Sequence, residues 1–261
     1  MHLLHKFKRK LFFILKKALY YIHTSLFPLF KYFSLIQNDR TLNYLEFNYN
    51  FFKLPKIIKK HRFYFSKKNR GYGENAFHKM WEHIFKKYKP LNILEIGVYR
   101  GQTISLFLLL SDFFNLKSNV YGISPLENVG DSVSRYPNLN YREDILKNTR
   151  RFSSKNYLIL DEFSTSSKSI NFISSKKWDL IYIDGNHDFE VVKMDFNNCS
   201  KNLKIGGLLV LDDSSLFTNF IPPFYSNSGH PGPSKVADEI DLNTFKELLS
   251  VGHNRVFIKL K

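Results

Sequence analysis

The sequence contains very little cysteine. Cys199 is the only cysteine among 261 residues, which excludes a framework of intrachain disulfides and is typical of a protein from a reducing compartment. No group of cysteine and histidine residues has the spacing of a zinc site. Since 43% of the residues are hydrophobic, we expect a cytoplasmic protein whose stability comes from its core rather than from cross-links.

Long uninterrupted apolar runs are also missing. Apolar residues recur every three or four positions over residues 4–26, but Lys16 and Lys17 interrupt them. A membrane-spanning helix needs about 20 consecutive apolar residues, and no small-residue cleavage site follows, as it would after a secretory signal. We therefore expect neither of these. The periodicity instead predicts a basic amphipathic helix that ends near Pro28.

Acidic residues are scarce in the first quarter of the chain. Residues 1–70 contain 16 Lys/Arg and 2 Asp/Glu, whereas residues 71–261 contain 23 and 21. The apolar stripe of the first helix comprises Leu4, Phe7, Leu11, Leu15, Ala18, Ile22 and Leu26. This stripe can pack on the protein's own core. Alternatively, residues 4–26 can lie on a partner or on the inner face of an anionic membrane, and both interpretations stay open. Nucleic acid is the least favoured partner, because the remainder of the chain is almost neutral.

From residue 76 onwards the pattern changes to alternating strands and helices. The predicted strands are residues 92–98, 119–123, 157–160, 180–183 and 207–211. This alternation predicts an α/β fold with a parallel sheet and right-handed crossovers. Two later apolar runs are joined by Gly252-His253-Asn254 and predict a C-terminal antiparallel hairpin. We expect a basic extension over residues 1–75 and a catalytic domain over residues 76–261.

Carboxylates follow two of the predicted strands at the point where each strand ends. Asp184 comes directly after the fourth strand, and Asp212 and Asp213 come after the fifth. If these strands are parallel neighbours, the three side chains meet where open α/β sheets bind ligands. Oxygen ligands suit a hard cation such as Mg²⁺. A helix cap or a turn-forming Asx motif is the alternative interpretation.

The first strand leads into a glycine-containing turn, Glu95-Ile96-Gly97-x-x-x-Gly101. Gly97 lets the chain leave the strand sharply, and Gly101 lets a helix begin close to a ligand. Backbone N–H groups at a helix start favour an anionic group. The dinucleotide fingerprint G-x-G-x-x-G is missing, and a nicotinamide oxidoreductase is therefore disfavoured.

These motifs together resemble a known family. The glycine turn, Ile183-Asp184-Gly185-Asn186-His187, Leu203-Lys204-Ile205-Gly206-Gly207 and the closing hairpin are similar to class I, Rossmann-like S-adenosylmethionine-dependent methyltransferases. Within these, the chain most resembles the metal-dependent O-methyltransferases related to macrocin O-methyltransferase and the cephalosporin hydroxylase-like proteins. The resemblance covers about residues 76–213 and the hairpin. It implies a three-layer sandwich around a mostly parallel seven-stranded sheet.

The resemblance also implies roles for matching residues. S-adenosylmethionine would be held by Glu95, Gly97 and Gly101, and Mg²⁺ or another divalent cation by Asp184, Asp212 and Asp213. Asp184 would thereby take part in catalysis. Ser124 stands where the family has its ribose-binding acid, with Glu127 as the nearest substitute. The adenine would lie near Glu162, with Asp161 and Phe163 as further candidates.

Asn186 occupies a position where relatives often have a second acid, which can act as a base. Asn186 cannot take up a proton at neutral pH, but the adjacent His187 titrates in the useful range. We therefore expect His187 to act as a base or to orient the acceptor. The alternative is that His187 caps the following helix.

The resemblance implies methyl transfer to a hydroxyl of a sugar, a glycan or a small secondary metabolite. The Pro- and Gly-rich segment 221–233 follows the metal-binding strand and suits a substrate lid, with Phe224, Tyr225 and His230 as contacts. Two other functions remain open: a non-catalytic scaffold, supported by Ser124, and a nucleic-acid methyltransferase, suggested by the basic N-terminus. A homo-oligomer is also left open.

Overall fold

The computed structural model describes residues 2–29, 40–68, 70–131 and 138–261, and for residues 2–10 and 13 it describes the backbone alone. The helices are α1 His2–Ser25, α2 Arg40–Phe51, α3 Lys56–Phe65, α4 Asn75–Tyr88, α5 Gln102–Phe113, α6 Tyr141–Arg150, α7 Ser167–Ser174, α8 Phe189–Asn202 and α9 Pro231–Asp238. The strands are β1 Asn92–Ile96, β2 Asn119–Ile123, β3 Tyr157–Leu160, β4 Trp178–Ile183, β5 Leu203–Leu211, β6 Phe245–Val251 and β7 Asn254–Lys259.

The seven strands form one sheet in the order β3-β2-β1-β4-β5-β7-β6. β1 to β5 are parallel to one another, whereas β7 pairs antiparallel with both β5 and β6. The predicted α/β fold, with a mostly parallel seven-stranded sheet and a C-terminal hairpin, is therefore confirmed. Because the order reverses between β1 and β4, the carboxyl ends of these strands form a crevice.

Helices cover both faces of the sheet, and the strands supply alternate side chains to two cores. In β4, Leu180 and Tyr182 face the core that contains Trp81 and Phe107. Ile181 and Ile183 face the opposite core, around Trp178 and Phe257. This is the three-layer arrangement that the sequence resemblance implied.

Residues 40–65 form two helices that pack directly on the sheet-bearing part of the chain. α2 packs on α4 and β6, and α3 packs on α4 and α5. Their apolar side chains Tyr44, Phe51, Ile58 and Phe65 are fully buried. The chain that precedes β1 is thus held against the sheet through buried surface.

Helix α1 corrects one sequence interpretation. Its C-terminal half contacts α2 through Tyr20, whose hydroxyl donates to Asn48 (2.6 Å), and through buried Thr24, and Phe27 just beyond the helix packs on Tyr49 of α2. The predicted stripe points elsewhere: Leu15 and Ile22 are more than half exposed. Leu11 and Leu26 are exposed as well, while Leu4 and Phe7 lie outside the described side chains. Packing of the stripe on the protein's own core is therefore wrong for the part that is described.

Two further properties of α1 bear on the sequence analysis. The helix ends at Ser25, three residues before Pro28. Among the described residues, no helix combines the length and the apolar character needed to cross a bilayer.

Candidate active site

The carboxyl ends of β1, β4 and β5 meet at one edge of the sheet. The backbone N–H of Asp184 donates to the carbonyl of Ile96 (2.8 Å), and that of Asp212 donates to the carbonyl of Ile183 (3.0 Å). These bonds extend the two ladders by one residue and place Asp184 beside Asp212, with Asp213 next along the chain. The expected convergence of three carboxylates is present.

A cavity of about 820 Å³ opens at this edge, a size typical of small-molecule sites. Eight of the ten residues predicted to bind the cofactor or a metal ion or to act in catalysis line it: Glu95, Gly97, Ser124, Glu127, Asp184, His187, Asp212 and Asp213. Gly101 and Glu162 are not among the lining residues. Gly101 begins α5 close to Ile145, and Glu162 pairs with Lys168 (2.6 Å). Phe163 does line the cavity, together with Ser164 and Thr165.

The carboxylate of Glu95 is buried at the floor of the cavity. Its burial raises the pKa of Glu95 to about 8, although hydrogen bonds with Thr103 and the backbone of Ile104 act in the opposite direction. The Oε2 atom has no hydrogen-bond partner among the described residues. A buried acceptor without a partner is costly, and it would be satisfied by the ammonium group of a bound amino acid.

Asp184 and Asp213 are affected in opposite directions by their surroundings. Burial, followed by the charge of Asp212, raises the pKa of Asp184 well above its usual range. Burial also opposes ionisation of Asp213, but the adjacent imidazoles of His187 and His253 outweigh it and lower the pKa of Asp213. A divalent cation bound here would favour the ionised form of the carboxylates that hold it.

His187 lies between two carboxylates. Its Nδ1 is 2.8 Å from Oδ2 of Asp131, which also accepts the backbone N–H of His187 (2.6 Å). Its Nε2 is 3.1 Å from Oδ2 of Asp213. Burial lowers the pKa of His187, but these hydrogen bonds outweigh it and raise the pKa to about 9. The imidazole is therefore a cation at neutral pH in this arrangement.

Several lining residues were not identified from the sequence. His253 comes from the β6–β7 turn and approaches Asp212 and Asp213, because β7 pairs with β5. Asp131 is not a lining residue but pairs with His187, and it carries no sequence signal beyond being an acid in a polar loop. The segment before β1 also lines the cavity, with Gly71, Tyr72, Gly73, Phe77, His78 and Trp81.

The predicted lid contributes only part of what was expected. His230 and Asn227 line the cavity, which agrees with a substrate contact for His230. Phe224 and Tyr225 do not line the cavity. Tyr225 packs edge-on against Tyr20 of α1 (4.6 Å between ring centroids), and Phe224 is half exposed.

Comparison with known proteins identifies the domain. A family model described as a methyltransferase domain matches residues 94–214. The uncharacterised protein R132 of Acanthamoeba polyphaga mimivirus is 28% identical over 127 residues, or 47% of this chain. The match spans about half of that relative, 51% of its length.

Solved structures share the fold at low sequence identity. A protein described as a caffeoyl-CoA O-methyltransferase from Staphylococcus aureus has 15% identity and a TM-score of 0.59, with 83% of this chain and 98% of the other covered. The methyltransferase MycE of the mycinamycin pathway, in complex with Mg and SAH, has 16% identity and a TM-score of 0.50. That alignment covers 79% of this chain and 55% of MycE.

The order of the sheet, the glycine turn at its crevice and the family match over residues 94–214 agree with one another. The residues that contact the cavity from outside this range come from α4, the segment before it, the 221–233 loop and the terminal hairpin. Residues 94–214 therefore match the methyltransferase domain family, and the chain has the Rossmann-like fold that these solved methyltransferases share.

Proposed function

We propose that the protein transfers the methyl group of S-adenosylmethionine to a hydroxyl oxygen of a sugar, glycan or small metabolite, assisted by a divalent cation. One observation carries the proposal: the same cavity is lined by the glycine turn and by Asp184, Asp212 and Asp213. A donor at the turn and an acceptor at the carboxylates would share one pocket, where alignment alone contributes much of the rate.

The cofactor side of the cavity has suitable groups. Glu95 offers a free buried oxygen for the ammonium group of the methionine moiety. Ser124 and Glu127 line the wall after β2 and would bind the ribose hydroxyls. Phe163 lies on the same wall and would pack on the adenine.

The acidic side of the cavity fits a cation. Oδ1 of Asp212 is buried and has no hydrogen-bond partner among the described residues, so an ion would satisfy it. When bound, the cation would supply a Lewis acid that lowers the pKa of the acceptor hydroxyl. The presence of Mg in the MycE complex, on the same fold, is consistent with this proposal.

His187 would orient the acceptor. Both ring nitrogens face carboxylates. If Asp213 instead bound the metal ion, Nε2 of the charged ring would be free to donate a hydrogen bond to the oxygen of the acceptor substrate. It could act as a base only after losing its own proton, which its surroundings disfavour at neutral pH.

Methyl transfer from labelled S-adenosylmethionine to a panel of sugars and small hydroxyl compounds, with and without a chelator, tests the proposal. We expect chelator-sensitive transfer that Asp184→Asn abolishes, while binding of S-adenosylhomocysteine by calorimetry is retained. Asp188→Asn is the matched control, because Asp188 is exposed and makes no cap hydrogen bond. Equal turnover in Asp184→Asn and the wild type would overturn the role of the cation.

We also propose that α1 lies on an anionic membrane surface. Its exposed side chains Ile14, Leu15, Leu19 and Ile22 are 54–59% accessible and lie opposite the face that contacts α2. Lys16 and Lys17 lie at the sides of this apolar face, on the helical spacing of 100° per residue. An apolar strip bordered by lysines suits the interface of acidic lipids.

A further inference from the structure

We propose that His253, in the turn between β6 and β7, is a metal ligand together with Asp212 and Asp213, and that this nitrogen makes the site selective for a first-row transition ion over Mg²⁺. The inference deepens the proposed function and rests on the cation site assumed there. It departs from the all-oxygen magnesium site that the sequence predicted.

The first observation is the convergence of three ligand atoms. Nδ1 of His253 lies 3.0 Å from Oδ1 of Asp212 and 3.0 Å from Oδ1 of Asp213. One ligand atom from each of these residues lies within 4.8 Å of those of the other two. Two ligands about 2.1 Å from an ion and at right angles to each other are about 3 Å apart. The two 3.0 Å separations are therefore compatible with a shared ion, as they are with a direct ion pair.

The second observation is the lack of hydrogen bonds within this group. Despite the short separations, Nδ1 of His253 and Oδ1 of Asp212 are buried and have no hydrogen-bond partner of acceptable geometry among the described residues. Buried polar atoms are almost always paired. An imidazolium–carboxylate pair at this distance would direct its N–H along the line to the acceptor. Neither atom is engaged in such a bond, so both are available to an ion.

The ring of His253 has a carboxylate and an aromatic ring as neighbours on its other sides. Nε2 of His253 lies 3.9 Å from Oε1 of Glu74, which is longer than a hydrogen bond, and Phe77 packs edge-on against the ring (4.7 Å between centroids). Glu74 is itself held by the hydroxyls of Tyr44 and Ser226. A carboxylate on this side would favour the tautomer with its proton on Nε2, which is the tautomer that leaves Nδ1 free to coordinate.

The other candidate cluster is less suitable. His187, Asp213 and His230 also bring ligand atoms together, but both ring nitrogens of His187 are already hydrogen-bonded. His230 is 4.0 Å from Asp213 and 38% exposed. Only the group around His253 contains orphaned buried atoms among the residues described in these two clusters.

The nitrogen decides which ions the site prefers. Mg²⁺ is bound almost entirely by oxygen, whereas imidazole favours ions such as Fe²⁺, Co²⁺, Ni²⁺ and Zn²⁺. Protein sites generally bind Co²⁺ more tightly than Mg²⁺, so a higher affinity for Co²⁺ does not by itself identify a nitrogen ligand. The ratio of Co²⁺ affinity to Mg²⁺ affinity should instead be compared before and after the imidazole is removed.

The test is a titration of the metal-free, full-length protein with Co²⁺ and with Mg²⁺. Binding of both ions is measured by calorimetry, and binding of Co²⁺ also by its visible absorption. We expect His253→Gln to bind Co²⁺ 10- to 100-fold more weakly and to lose intensity in the visible band. Its Mg²⁺ affinity should change less than threefold. His230→Gln is the matched control and should bind both ions as the wild type does.

Other results would overturn the inference. Unchanged Co²⁺ affinity in His253→Gln would do so, and so would a loss confined to His230→Gln, which would place the ion in the other cluster. Retained binding of S-adenosylhomocysteine shows that a variant is folded, and His253→Asn replaces His253→Gln if it is not. Methyl transfer does not enter this test, so failure to find an acceptor would affect the proposed function without affecting the assignment of His253.

Discussion

Gly97 and Asp184 come together so closely that no side chain fits between them. A Cβ atom added to Gly97 would overlap the carbonyl oxygen of Asp184, and Gly97 has a φ of +88°. The turn after β1 is thereby pressed against the end of β4. This contact joins the part of the cavity proposed to hold the cofactor to the part that carries the carboxylates.

Gly97→Ala should therefore abolish cofactor binding. It should also lower the free energy of unfolding by more than the cost of placing an alanine at a positive φ, because the new Cβ would overlap the chain at Asp184. Gly206→Ala is the control, since Gly206 has a φ of +77° but open space around its Cβ position. We expect the control to lose about 1 kcal/mol and to bind S-adenosylhomocysteine normally. Equal effects of the two substitutions, measured by urea denaturation and calorimetry, would contradict the steric explanation.

Asp195 predicts a dependence of stability on pH. It is buried in α8, and its burial raises its pKa to about 7, against an opposing hydrogen bond with Ser164. The folded state therefore binds a proton that the unfolded chain releases near pH 4, so stability is highest at low pH and falls as pH rises from about 4 to 7.

Asp195→Asn should remove this decline and raise the unfolding free energy at pH 8 by roughly 1–3 kcal/mol, with little change at pH 4. Glu190→Gln, at an exposed position of the same helix, should leave the pH profile as in the wild type. Urea denaturation at several pH values measures both. A parallel decline in Asp195→Asn would show that another group causes it.

Glu247 connects the N-terminal helices to the terminal hairpin. It accepts hydrogen bonds from Arg40 of α2 and from Arg255 of β7 (3.0 Å). Burial raises the pKa of Glu247, but the two guanidinium groups outweigh it and lower the pKa. The stability it contributes is present above the unfolded pKa of about 4.3 and is lost as pH falls through the lower folded value.

Glu247→Gln should lower the unfolding free energy at pH 7 by roughly 1–3 kcal/mol, because Arg255 is left buried with one carboxylate fewer. The deficit should shrink as pH falls below about 4.3 and vanish once the pH is below the lower folded pKa of Glu247. Glu239→Gln, which removes a more exposed pair with Lys193, should cost less than 1 kcal/mol. A deficit that stays constant as the pH is lowered through this range would argue against the electrostatic origin.

The membrane proposal for α1 is tested by sedimentation with vesicles of phosphatidylserine and phosphatidylcholine. Replacing Ile14, Leu15 and Ile22 together by Glu should reduce binding at least tenfold, because it removes apolar surface and reverses local charge. Ile205→Glu, at an equally exposed apolar position remote from α1, is the control. Undiminished binding of the triple variant would remove α1 from the interface.

Much of the fold follows from local pattern. Alternating strands and helices, and the glycine turn at Gly97, predicted the parallel sheet and the position of its crevice. The exposed stripe of α1 was left open, because periodicity shows that an apolar face exists but not what covers it. The division between residues 1–75 and 76–261 stays a prediction, although α2 and α3 pack on the second part. The roles of the site residues also remain predictions.

The sequence by itself determined that Asp184, Asp212 and Asp213 would meet, because neighbouring parallel strands end at the same edge of a sheet. Only the tertiary structure decided that His253 joins them, that Glu74 faces His253 and that Asp131 pairs with His187. These contacts arise from the pairing of β7 with β5, the packing of α4 and the position of Asp131 beside the end of β4. Such contacts depend on the free energy of the whole folded chain, and no short window of sequence contains them.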